Sequence, residues 1–123
     1  MKMDIWDTGL SPSFRERIMT ETLRDRALQA VRETAQEQGA QKAIVFGSFA
    51  RDTATRHSDL DAVFVADTRL RFMDRPDPYL SALQDRLGLA SDVFVYTPAE
   101  FADMADKPFM KRVLREGVSV YER

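Results

Sequence analysis

Residues 41–65 read QKAIVFGSFARDTATRHSDLDAVFV, and this stretch decides how the chain folds. Two unbroken apolar runs lie at its ends, and each has the length and the β-branched and aromatic content of a buried strand. We therefore predict strands over residues 41–46 and 60–66. Because the connection between them is short, it holds at most a short helix, and we expect an antiparallel or mixed sheet.

The connection opens with Gly47 and Ser48, directly after the first strand. Glycine lets a backbone approach a ligand closely, and serine is a good helix N-cap. We predict a tight turn followed by a short helix over residues 49–53. Free amide groups at the start of a helix attract anions, so this turn is suited to a phosphate group.

The second strand is preceded by Ser58-Asp59-Leu60-Asp61, with two carboxylates at alternate positions. On a strand, Asp59 and Asp61 would share a face at a spacing of about 6.6 Å along the axis. Hard cations such as Mg²⁺ prefer oxygen ligands of this kind. A simpler interpretation is a turn-forming pair, but aspartate is depleted in strands. A phosphate-binding turn beside two metal-binding carboxylates indicates phosphoryl or nucleotidyl transfer.

The pattern Gly47-Ser48-x-x-Arg51 followed by Ser58-Asp59-x-Asp61 closely resembles the signature of the DNA-polymerase-β-like nucleotidyltransferases. The short chain and the sequence Gly-Ser-Phe-Ala-Arg resemble those of the minimal nucleotidyltransferases (MNT), which often act as antitoxins with HEPN partners. The resemblance covers residues 40–97. It implies an α/β protein of the α+β type, with a small mixed sheet flanked by helices.

The resemblance also implies roles for individual residues. A third carboxylate, on the strand after the aspartate pair, corresponds to Asp92, which would join Asp59 and Asp61 as a metal ligand and catalytic residue. Gly47 and Ser48 would bind the nucleotide triphosphate. The alternative for Asp92 is a side chain that caps the turn before its strand.

Arg51 corresponds to an arginine of the family that is structural or lies beside the phosphates. A solvated arginine is the alternative interpretation for this position. The next residue, Asp52, departs from the family pattern, because many members carry glycine there. It adds a negative charge close to the predicted site.

By this resemblance, the expected function is Mg²⁺-dependent transfer of AMP from ATP to a hydroxyl group of a partner protein. The acceptor would be a tyrosine of a HEPN toxin, which places the protein in a toxin–antitoxin system. Two alternatives stay open: a non-catalytic binding module that acts as an antitoxin, and a small-molecule nucleotidyltransferase of the aminoglycoside-modifying type. The chain could act as a homo- or hetero-oligomer.

Composition agrees with a soluble globular protein. The 123 residues suggest one domain over residues 13–123, preceded by an N-terminal arm over residues 1–12 that contains Trp6. The formal net charge of −2 is not that of a nucleic-acid-binding chain, so we expect no direct contact with nucleic acid. No apolar stretch approaches a membrane span or a signal peptide, so we expect a cytoplasmic protein without membrane contact. Cysteine is absent, which excludes disulfides.

The remaining elements follow from periodicity and from start and stop signals. Thr97, Pro98 and Glu100 have the spacing of a capping box at the start of a helix. Phe94 and Tyr96 share a strand face with Asp92. Their side chains would either pack in the core or line an adenine pocket. The predicted elements are a helix over 14–37, a loop over 67–78, a helix over 79–87, a strand over 92–96, a helix over 107–115 and a strand over 118–121.

Overall fold

The computed structural model describes the backbone of residues 12–123 and the side chains from residue 23 onward. The predicted N-terminal arm, including Trp6, lies outside the described residues except for its last position, where the first helix begins. The elements in chain order are α1 (Pro12–Gln38), β1 (Lys42–Phe46), β2 (Leu60–Val65), α2 (Pro76–Leu87), β3 (Ser91–Tyr96), α3 (Pro98–Asp103), α4 (Pro108–Glu116) and β4 (Val118–Glu122).

The four strands form one mixed sheet in the order β3-β2-β1-β4. Strand β1 runs antiparallel to both β2 and β4, whereas β2 and β3 are parallel. The physical reason lies in the connections: the short link after β1 returns the chain antiparallel, while helix α2 carries it back to start β3 alongside β2. The predicted mixed sheet flanked by helices is confirmed.

Helices cover both faces of the sheet. On one face, α1 and α2 pack against alternate strand residues, and this larger core includes Val31, Leu83, Phe64 and the buried Phe49. On the other face, α4 packs Met110 and Val113 against residues that include Ile44, Val63 and Tyr96. This second, smaller core lies next to the side of the sheet that carries Asp61 and Asp92.

The predicted loop over residues 67–78 is too long. Its second half contains a single 3₁₀ turn at Phe72–Asp74, and α2 already begins at Pro76. Pro76 takes the first helical position, where a missing N–H is tolerated. The buried Arg75 guanidinium holds this corner by donating hydrogen bonds to the Leu70 carbonyl and to Glu100.

The capping box at the start of α3 is confirmed. The Thr97 hydroxyl accepts a hydrogen bond from the Glu100 amide, and the Glu100 carboxylate accepts one from the Thr97 amide. The hydrogen bond that Glu100 accepts from Arg75 also holds the pKa of the Glu100 carboxyl below its ordinary value. Within the described helices, none combines the length and apolar character that a membrane span requires.

A buried threonine in α1 offers a direct test of packing. Thr34 is fully buried, and its hydroxyl has no hydrogen-bond partner among the described residues. Thr34→Val keeps the shape but removes the unsatisfied group, so we expect the free energy of unfolding to rise by about 1 kcal/mol. Chemical denaturation would measure the change, with the α1 surface variant Gln36→Ala as a control; a loss of stability would show that the hydroxyl is hydrogen-bonded.

Candidate active site

The connection after β1 forms a turn instead of the predicted short helix over residues 49–53, so that prediction is wrong, and Ser48 does not act as an N-cap. Gly47 adopts a left-handed backbone conformation with φ of 71°. The Arg51 amide donates to the Gly47 carbonyl at 3.1 Å, and the Thr53 amide donates to the Ser48 carbonyl at 3.0 Å. Any phosphate contact here would come from turn amides and the Ser48 hydroxyl.

The turn ends at Asp52, the position where the sequence departs from the family pattern. Asp52 has φ of 60° and is the one non-glycine residue with positive φ in the described chain. This left-handed conformation explains why glycine suits the position and why a helix cannot continue through it. Arg24 of α1 holds the turn: its Nε atom donates to the buried Phe49 carbonyl at 2.8 Å and lies 3.8 Å from the Asp52 carboxylate.

Removing the Arg24 contact should loosen this turn. In Arg24→Gln, a hydrogen bond from a charged donor to the Phe49 carbonyl is lost, and we expect the free energy of unfolding to fall by about 1 kcal/mol. Amide hydrogen exchange at Arg51 and Thr53 should accelerate, because their hydrogen bonds close the same turn. The exposed Arg26, two positions along α1, provides the control Arg26→Gln, and equal exchange in both variants would contradict the assigned contact.

Three carboxylates approach one another beside this turn. Asp61 of β2 lies directly opposite Asp92 of β3 in the parallel register, and Asp59 lies one residue before β2. Asp61 is half-buried, whereas Asp59 and Asp92 are exposed. The turn packs tightly on Asp61, because a Cβ atom added to Gly47 would lie 2.3 Å from the Asp61 Oδ2 atom.

The pKa of the Asp61 carboxyl is raised from its ordinary value of 3.8 to about 6. Burial is the main cause, followed by the negative charges of Asp92 and Asp59 and by a hydrogen bond with Asp92. The positive charge of Arg51 lowers the pKa of Asp61, but it offsets only part of this rise. A cluster with this property strongly favours a bound cation or a shared proton.

The carboxylate oxygens suit Mg²⁺, which prefers hard oxygen ligands and completes its shell with substrate phosphates and water. In the part of the chain that the structure describes, however, no three acidic, histidine or cysteine side chains are already arranged to hold a metal ion. Asp61 and Asp92 are paired across β2 and β3, and Asp59 is exposed. The metal-ligand roles of these residues stay a prediction.

One cavity of about 350 Å³ brings the predicted residues together. All six predicted site residues line it: Gly47, Ser48, Arg51, Asp59, Asp61 and Asp92. Ser58 and Phe46 also contribute. Phe94 and Tyr96 belong to the smaller core and do not line the cavity, which matches their interpretation as core residues.

Sequence reasoning missed the wall that α4 contributes. Phe109, Arg112 and Val113 of this helix line the cavity. Their spacing of three and four residues places them on neighbouring positions of one helix face, which was the available signal. The sequence alone does not show that this face meets the carboxylates, because that depends on how α4 packs on the sheet.

The sequence profile of the family described as "Polymerase beta, Nucleotidyltransferase" matches residues 29–123. The match covers most of the chain and includes every predicted site residue. The chain therefore belongs to the polymerase-β nucleotidyltransferase family, as its motifs predicted. No curated protein matches the sequence.

The fold is similar to those of several solved structures, including the following three. The first is a toxin–antitoxin crystal structure with AMP-PNP, with a TM-score of 0.61, 18% identity, and coverage of 78% of this chain and 73% of that chain. The second is a putative nucleotidyltransferase from Sulfolobus solfataricus, with a TM-score of 0.55, 22% identity, and coverage of 94% of this chain and 93% of that chain. The third is a mutant of the toxin–antitoxin MntA-HpeT, with a TM-score of 0.56, 17% identity, and coverage of 74% of this chain and 69% of that chain. At these identities the similarity concerns the fold.

Proposed function

We propose that this protein is a minimal nucleotidyltransferase that transfers AMP from ATP to a hydroxyl group of a partner protein, with Mg²⁺. One observation carries the proposal: Asp61 and Asp92 lie side by side across β2 and β3, and they share a cavity with Asp59 and the Gly47–Ser48 turn. Carboxylates beside a turn that carries backbone amides and the Ser48 hydroxyl suit a triphosphate and its metal ion.

In the proposed reaction, the acceptor oxygen attacks the α-phosphorus of ATP, and the bond between that phosphorus and the pyrophosphate oxygen breaks. Pyrophosphate leaves, and the hydroxyl proton passes to the carboxylate of Asp92. Asp59, Asp61 and Asp92 would hold Mg²⁺, which when bound neutralises phosphate charge and polarises the reacting phosphate. Gly47 and Ser48 orient the triphosphate so that the leaving group lies opposite the attacking oxygen.

The proposed acceptor is a tyrosine of a HEPN toxin, so that the protein acts as an antitoxin. The motif resemblance supports this partner, and two of the structures with a similar fold are toxin–antitoxin structures. The exposure of Asp59 and Asp92 also supports a protein acceptor, because a tyrosine on another chain can reach carboxylates that lie at the surface.

The experiment is incubation with Mg²⁺ and α-³²P-labelled nucleotide, with and without the protein encoded beside it, for each of the four nucleotides in turn. We expect label from ATP to move to a tyrosine of the neighbouring protein, and mass spectrometry would locate the added AMP. The Asp59→Asn variant serves as the inactive control. If the two proteins bind but no nucleotide is transferred, the protein is a non-catalytic binding antitoxin and the proposal is wrong.

A further inference from the structure

We propose that Arg112 of α4 binds the β- and γ-phosphates of the nucleoside triphosphate together with Arg51 of the turn. This inference rests on the proposed nucleotidyl transfer and adds a residue that the family motif does not contain. Of the described residues that line the cavity, Arg51 and Arg112 are the cationic ones, and they face three carboxylates. A triphosphate needs cationic partners of this kind.

The position of Arg112 follows from the packing of α4. Met110 and Val113 are buried in the smaller core and fix the rotation of the helix about its axis. Phe109 packs on Phe46 with ring centroids 5.6 Å apart, which holds α4 against the end of β1, next to Gly47. Arg112 is therefore presented to the cavity by a well-packed helix.

Glu116 links the two arginines. Its Oε2 atom lies 3.4 Å from the Nε atom of Arg112 and 3.9 Å from an Nη atom of Arg51. Two guanidinium groups thus share one carboxylate oxygen, although each carries five N–H donors. Among the described residues, no other hydrogen bond or ion pair engages these donors, so they can bind an anion. This shared contact holds the side chains of Arg112 and Arg51 near the same carboxylate oxygen.

The exposure of both arginines agrees with a binding role. The side chains of Arg51 and Arg112 are 45% and 65% exposed, so binding a phosphate group would not require either to leave the core. Exposed ion pairs of this kind contribute little to folding stability. Their arrangement around one oxygen beside the cavity is therefore better explained by an anionic ligand than by stability.

The same helix offers a matched comparison in Arg115. It also pairs with Glu116, through the other carboxylate oxygen at 3.6 Å, and its side chain is 73% exposed. It does not line the cavity. Arg112→Gln and Arg115→Gln therefore remove the same charge from the same helix and the same ion-pair network, but only the first removes a cavity cation.

The test is isothermal titration calorimetry of the native protein and both variants with ATP and with AMP, each in the presence of MgCl₂. We expect Arg112→Gln to weaken ATP binding about tenfold. AMP binding should change less than twofold, because AMP lacks the β- and γ-phosphates. Arg115→Gln should bind both nucleotides as the native protein does. Circular dichroism would confirm that both variants fold.

Each outcome decides the inference. Equal ATP affinity in Arg112→Gln and Arg115→Gln would overturn the role of Arg112 and leave the proposed nucleotidyl transfer intact. Equal weakening of ATP and AMP would also overturn it, since a triphosphate contact cannot act on AMP in this way. If the native protein binds no nucleotide at all, the proposed function fails, and the inference fails with it.

Discussion

Under the proposed function, Asp61→Asn is expected to reduce AMP transfer by about a thousandfold, because a carboxylate that would hold Mg²⁺ contributes several kcal/mol to stabilisation of the transition state. In the native protein Asp61 lies directly opposite Asp92 and against the Gly47 turn. Asparagine has nearly the same shape, so the fold should persist while the charge that would bind the proposed cation is lost. The rate of label transfer to the partner protein would measure the effect.

The same substitution should stabilise the metal-free protein. The pKa of Asp61 is raised to about 6 from 3.8, mainly by burial and then by the charge of Asp92. A raised carboxyl pKa means that the folded state holds a proton that the unfolded state has lost, so stability falls as pH rises through this interval and remains lower above it. Because the group is partly solvated, the cost above pH 6 is about 1 kcal/mol.

Urea denaturation in EDTA at pH 4 and pH 7.5 would measure this effect. We expect Asp61→Asn to match the native protein at pH 4 and to exceed its stability at pH 7.5. The exposed Asp85 of α2 gives the control Asp85→Asn, which should change neither transfer nor stability. Loss of transfer without the gain in stability would show that burial and the neighbouring charges do not destabilise the ionised Asp61 carboxylate in the metal-free state.

Gly47→Ala is expected to have the second large effect, lowering the free energy of unfolding by about 2–3 kcal/mol and abolishing ATP binding. Two costs add at this position. The backbone has φ of 71°, which disfavours any residue with a Cβ atom. The new Cβ would also lie 2.3 Å from the Asp61 Oδ2 atom, so either the turn or the carboxylate must move.

Gly39→Ala separates these two costs. Gly39 follows α1 with φ of 72°, but a Cβ atom added there meets no atom within 4 Å. This variant should lose about 1 kcal/mol from backbone strain alone and keep native ATP affinity. Denaturation and calorimetry of both variants would measure the difference. Equal losses of stability, with ATP binding retained in both, would show that the contact between the turn and Asp61 is unimportant.

Local patterns in the sequence were sufficient for most of the elements. The apolar runs that end at Phe46 and Val65 form strands, because most of their side chains are buried by the helices that pack on the sheet. Thr97 and Glu100 form the predicted capping box because all its hydrogen bonds lie within four residues. The predicted helix over residues 49–53 is wrong. A segment of five residues has little helical stability of its own, and the left-handed conformation of Asp52 interrupts the helix.

The sequence by itself determined the family and the mixed sheet, and it predicted six site residues, of which all but Asp92 lie within residues 47–61. Only the tertiary structure decided which groups meet them. The pairing of Asp61 with Asp92 depends on the register of two strands separated by α2. The placement of Arg24 and Arg112 depends on how distant helices pack on the sheet. Such contacts join residues far apart in the chain, and no local pattern specifies them.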